Sequence, residues 1–85
     1  MEEMANRQAT GGGATSRLAQ LTPRETDVLR RAAEGRTNLQ VARELGVTVH
    51  AVKFHLASVF RKLGVTNRTE AAVAFMTDGA GRGAQ

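Results

Sequence analysis

Between Leu45 and Thr69 the chain carries four side chains of fixed positive charge, Lys53, Arg61, Lys62 and Arg68, and no carboxylate. Ammonium and guanidinium groups gathered without acid partners suit a polyanion, because phosphate oxygens accept charge-assisted hydrogen bonds from them. Other chemistry fares worse. His50 and His55 are five residues apart, so about 140° separates them on a helix, and they cannot share a metal ion as an i, i+4 pair does. His55 lies nearer the apolar side and reads as a packing or phosphate-contacting residue. Ser58, one of two serines, has no acid–base partner close in sequence. Gly11-Gly12-Gly13 lacks the Lys-Ser/Thr pair and the strand-to-helix setting of a phosphate-binding loop. The eight acids are scattered, so no carboxylate cluster for Mg²⁺ is formed, and with no cysteine there is neither a thiolate nucleophile nor a finger-type zinc site. No enzyme activity, cofactor or metal is expected.

The elements that position these groups must be few. The chain has 85 residues and a net charge of +4, enough for one small domain with a modest core. Absence of cysteine fits a reducing, cytoplasmic setting, and no apolar run approaches the roughly 20 residues that span a bilayer. Residues 1–19, with the run Ala9-Thr-Gly-Gly-Gly-Ala-Thr-Ser16, read as a flexible N-terminal segment. Residues 20–79 hold nearly all the large apolar side chains and form the folding unit, and 80–85 read as a disordered tail.

Inside that unit, helix starts and stops alternate. Thr22-Pro23-Arg24-Glu25 supplies a cap, a proline at the first helical position and a glutamate three residues after the cap, and the helix should run to Glu34 before Gly35. Thr37-Asn38-Leu39-Gln40 opens a second, short helix that ends by Leu45. Thr48 caps a third over residues 49–63, about 22 Å long. Asn67 with Glu70 opens a fourth, which should close before Gly79. No stretch alternates with period two, so the fold class is all-α.

Only Gly46-Val47 separates the second helix from the cap of the third, so the two must cross steeply as a helix-turn-helix. A generic helical hairpin is the alternative. On the third helix Val59 and Leu63 fall within about 20° of Val52, Leu56 at about 40° and Val49 at about 60°, a stripe that faces the core. His50, Lys53, Phe54, Ala57 and Arg61 fall on the opposite side, at about 100° to 200°. A helix face exposed only to water would more often mix charges of both signs.

The segments Leu21-Thr-Pro-Arg-Glu25, Asn38-Leu-Gln-Val-Ala42, Leu45-Gly-Val-Thr48, Val52-Lys-Phe-His55, Arg61-Lys-Leu-Gly-Val65 and Asn67-Arg-Thr-Glu-Ala71 resemble the DNA-binding domain of the quorum-sensing LuxR family, shared with NarL-type response regulators. The resemblance implies a four-helix bacterial transcription-regulator domain that binds double-stranded DNA as a homodimer, with the third helix in the major groove and the fourth at the dimer contact. Carried over by position, base contacts fall on Lys53, Phe54 and Ala57. Phosphate contacts fall on Thr37, Thr48, His55, Arg61 and Asn67, with His50 and Arg68 completing the DNA-facing set, and Ala72, Val73 and Met76 form the dimer contact. Phe54 stands where the family often has a small aliphatic residue, and Ala57 where longer polar residues are common. Ala51 and Gln40 replace the usual Thr and Glu. Most relatives carry an N-terminal receiver or ligand-binding domain that these 85 residues do not show, so the chain is expected to be either a stand-alone regulator at the bacterial nucleoid, which Met1 and its lead favour slightly, or a fragment of a larger one. A second reading is a protein-interaction module that contacts RNA polymerase or another regulator, with DNA binding secondary.

Overall fold

A computed structural model describes residues 17–83 of the chain, with side chains as far as Asp78. The triglycine run and the first 16 residues of the expected flexible segment lie outside the described residues, as do residues 84–85. The elements are a 3-10 turn at Arg17–Gln20 and four helices, α1 (Pro23–Ala33), α2 (Asn38–Leu45), α3 (Val49–Leu63) and α4 (Arg68–Gly83). No strand occurs among the described residues.

Local chemistry sets most of these ends. Thr22 Oγ1 accepts from Glu25 N at 3.1 Å while Glu25 Oε1 accepts from Thr22 N at 2.9 Å, a complete capping box with Pro23 in the first turn. Thr37 and Gln40 repeat it at 3.1 and 2.8 Å, so the glutamine serves where the family often has a glutamate. At α3 the box is half-made. Thr48 Oγ1 accepts from Ala51 N at 3.0 Å, but Ala51 has no side chain to accept from Thr48 N in return. Asn67 Oδ1 accepts from Glu70 N at 2.9 Å, and Glu70 Oε1 reaches past the cap to accept from Thr66 N and Thr66 Oγ1. Those two donors hold the Glu70 carboxyl below the usual carboxylate range. Gly46 ends α2 with φ +69°, a left-handed conformation that a side chain would strain, and the chain turns at once into α3.

The core lies on both sides of α3. Val28, Ala32, Val41, Ala42, Val52 and Leu56 join α1, α2 and the N-terminal half of α3. Leu29, Val59, Leu63, Ala71 and Ala74 join α1, the C-terminal half of α3 and α4. Phe60 packs against both clusters. Anchored at both ends in this way, α3 cannot rotate without opening one cluster, and its outward face is fixed in direction.

Two expected boundaries differ. Leu18, expected in a flexible segment, is buried in the second cluster, and Arg17 Nη1 donates to Leu63 O at 2.7 Å while its guanidinium pairs with Asp78 at 3.7 Å. One apolar residue in a four-residue turn has no period to detect, and its burial comes from tertiary contact with α3 and α4. At the other end α4 runs through Gly79 and Ala80 to Gly83 instead of closing before Gly79. A glycine inside a helix costs only about 1 kcal/mol relative to alanine, so it need not stop a helix already propagating.

Candidate nucleic-acid interface

The two faces of α3 carry different chemistry. On the inner side Glu25 is buried at 6% exposure, and Ser58 Oγ donates to its Oε2 at 2.6 Å while Lys62 Nζ donates to its Oε1 at 2.8 Å. Burial alone would push this carboxyl up. The hydrogen bonds from Lys62, Ser58 and Thr22 N, with the ammonium charge, outweigh that and hold it at about 2. Ser58 is thereby committed as a structural donor, and Lys62, counted above among the cations open to a polyanion, is taken up by the fold.

On the outer side His50, Lys53, Phe54, Ala57 and Arg61 are all exposed. Among the described residues Lys53 and Arg61 make no ion pair. Phe54 is 68% exposed, with its ring edge-on to the half-buried His55 at a centroid distance of 5.7 Å. It belongs to neither core cluster. Other carboxylates are paired: Glu44 bridges Arg31 and Arg36 at 3.0 and 2.7 Å, which ties α1 to α2, and Glu34 also holds Arg36.

Beside that face runs an open groove of about 300 Å³ lined by Asn38, Lys53, Leu56, Ala57, Phe60 and Arg68. It brings the first turns of α2 and α4 to the middle of α3. Arg68 is half-buried and braced: Nη1 donates to Asn38 Oδ1 at 2.8 Å, and Nη2 donates to the carbonyl of Arg36. The exposed caps Thr37, Thr48 and Asn67 accept from their own helices, which leaves the threonine hydroxyl protons and the Asn67 amide group to donate outward. On α4, Val73 and Met76 are 58% and 62% exposed, Ala72 is half-exposed, and Phe75 packs inward.

Residues 19–75 match the family described as "Bacterial regulatory proteins, luxR family". The chain belongs to this family. Relatives include the transcriptional regulatory protein LiaR of Bacillus subtilis, 45% identical over 53 residues, which are 62% of this chain and 25% of that protein. The nitrate/nitrite response regulator protein NarL of Escherichia coli is 44% identical over 54 residues, 64% of this chain and 25% of its own. The HTH-type quorum sensing-dependent transcriptional regulator RpaR of Rhodopseudomonas palustris is 43% identical over 63 residues, 74% and 26% of the respective chains. This chain thus spans about a quarter of the length of the curated relatives it matches. As in its luxR relatives, the all-α helix-turn-helix is of the DNA-binding, transcription-regulating kind. No helix among the described residues is long and apolar enough to cross a membrane, and no group of three or more potential metal ligands occurs among them.

Sequence reasoning passed over Glu25, Ser58 and Lys62 as a unit. Ser58 and Lys62 stand at i and i+4 on the edge of the apolar stripe of α3, where a polar pair would need a buried partner. That spacing was the available signal. Arg17 and Leu18 gave none.

Proposed function

We propose that this chain is a sequence-specific DNA-binding transcription regulator in which α3 enters the major groove and two copies pair through α4. The observation that carries the reading is the outer face of α3, where Lys53 and Arg61 form no ion pair among the described residues, on a helix packed into the core at both ends. The major groove is about 12 Å wide and admits a single α-helix with its side chains. Lys53, Phe54 and Ala57 then face base edges, and Ala57 is short enough to let the helix seat closely. Phosphates fall to His50, His55, Arg61, Asn67 and the hydroxyls of Thr37 and Thr48, with the unreturned Thr48 amide at the positive end of α3. Arg68 contributes by fixing the first turn of α4 against Asn38.

The exposed Val73 and Met76, three residues apart on α4, form a continuous apolar strip with Ala72. Such a strip suits a two-fold contact completed on DNA, with half-sites about one helical turn apart. Selection of bound duplexes from a random pool by the purified chain, followed by titration at several salt concentrations, tests the reading. It predicts an enriched, two-fold symmetric sequence and a log–log salt slope of about −0.9 per phosphate contacted. No enrichment, or affinity indifferent to salt, contradicts it. Met76→Asp should leave the fold intact and weaken binding to the two-half-site duplex while sparing a single half-site.

A further inference from the structure

Of the exposed large apolar side chains among the described residues, Leu39, Phe54, Val73 and Met76, Phe54 is the most exposed. Its setting also differs from that of the α4 pair. Val73 and Met76 adjoin each other and make a patch of the kind that another protein surface covers, whereas Phe54 stands alone between His50, Lys53 and Ala57 on the cationic face of α3. The ring has one aromatic neighbour among the described residues. It leans edge-on against His55, with an interplanar angle of 71°, and His55 is itself half-buried against the domain. A backed aromatic ring at the centre of a polar face has little to gain from water and nothing to give a phosphate.

We propose that Phe54, backed by His55, reads the C5-methyl group of a pyrimidine in the major groove. The inference rests on the placement of α3 in that groove. Phenylalanine has no donor or acceptor, so every hydrogen-bonding base edge it covers loses water without compensation. The C5-methyl of thymine is the one apolar feature that standard base pairs display in the major groove, and contact with it buries carbon against carbon. A methylated cytosine carries the same group at the same ring position, and Phe54 forms no hydrogen bond that tells the two apart, so any discrimination between them falls to its neighbours. The recognised chemistry is therefore a 5-methylpyrimidine, with thymine and 5-methylcytosine as its two sources. Lys53 beside the ring is placed to reach a guanine O6/N7 or a phosphate, which fixes the register in which Phe54 meets the base.

The test uses the duplex enriched by selection, wild type and Phe54→Ala, with binding followed by fluorescence anisotropy. Each thymine is replaced in turn by uracil, which removes the methyl and leaves pairing intact. At one position in each half-site wild type should lose about fivefold in affinity, while Phe54→Ala, already weaker on the thymine duplex, should be indifferent there. At that position a cytosine–guanine pair is then compared with 5-methylcytosine–guanine. Tighter binding of the methylated pair by wild type alone supports a reader of the methyl group from either source, and a response to thymine alone supports the methyl reading with thymine as its source. Because Phe54 is outside both core clusters, Phe54→Ala should show an unchanged thermal midpoint, so a loss of methyl response is not a loss of fold. If uracil weakens both proteins equally at every position, or weakens neither, Phe54 does not read the methyl although the placement of α3 stands. If no duplex is enriched at all, both fall.

Discussion

α3 has two polar regions of opposite character, one on its inner side and one on its outer side. On its inner side Ser58 and Lys62 close on Glu25, and both oxygens of that buried carboxylate have donors. On its outer side Lys53 and Arg61 form no ion pair among the described residues, and Phe54 is 68% exposed. Net charge does not distinguish the regions, since cations occur in both. What distinguishes them is whether the fold itself satisfies the group. A cation matched inside the domain contributes to stability and is withdrawn from any ligand. A cation left unmatched on a rigid face is available to one. Four positive charges in the 45–69 segment therefore overstate what is open to a ligand: Lys62 belongs to the inner region, and Arg68 is braced against Asn38.

The sharpest way to break this division is at Glu25. Glu25→Ala strands Lys62 and Ser58 and removes half of the α1 capping box, and should cost about 3 kcal/mol in urea unfolding. Outer-face substitutions should leave the urea midpoint unchanged. Acid should act on the same group. Its carboxyl sits at about 2 in the folded chain against 4.5 unfolded, so the folded state is favoured above the unfolded value and that contribution is lost as pH falls from about 5 toward 2. The difference corresponds to about 3 kcal/mol, and Glu25→Gln should flatten this part of the stability–pH curve. An unchanged acid limb in Glu25→Gln would place the acid sensitivity elsewhere.

Arg68 stands at the border of the two regions, half-buried and bonded to Asn38. Loss of its bonds to Asn38 and the Arg36 carbonyl in Arg68→Ala should cost about 1–2 kcal/mol of stability and also weaken binding on every duplex. Arg61→Ala, by contrast, should lower affinity on all sequences alike, make the salt slope about 0.9 shallower, and leave unfolding untouched. If Arg61→Ala destabilises as much as Arg68→Ala, the division between inner and outer groups is misplaced. The smallest effect is expected in the turn: Gly46→Ala meets no atom within 4 Å, so only its φ of +69° is strained, at about 1 kcal/mol by thermal melts. That cost should fall on stability and leave the salt slope alone.

Helix positions were legible where the deciding chemistry is local. Thr22, Thr37 and Thr48 each accept from a backbone amide three residues on, so sequence spacing alone places α1, α2 and α3. The outer face of α3 was legible for a similar reason, since helical periodicity dictates what lies opposite Val52, Val59 and Leu63. What escaped depends on contacts between distant segments. Glu25 has a complete local explanation in its capping box, which hides the bonds it makes 33 and 37 residues away. Arg68 reads as one more basic residue until its reach to Asn38, 30 residues back, shows it as a brace. Leu18 belongs to the core only because α3 and α4 close over it. The run of α4 through Gly79 was missed because a glycine lowers helix stability without forbidding the helix.

In the proposed complex DNA meets the outward face of α3 while the inner face stays as it is. Backbone amide shifts of the isotopically labelled full chain, followed by NMR as the selected duplex is added, test it most directly. The account predicts the largest changes at Thr48, His50, Lys53, Phe54, Ala57 and Arg61, with smaller ones at Thr37 and Asn67 and almost none at Val28 or Leu29. Changes concentrated on α1, with the outward face of α3 unmoved, would contradict it.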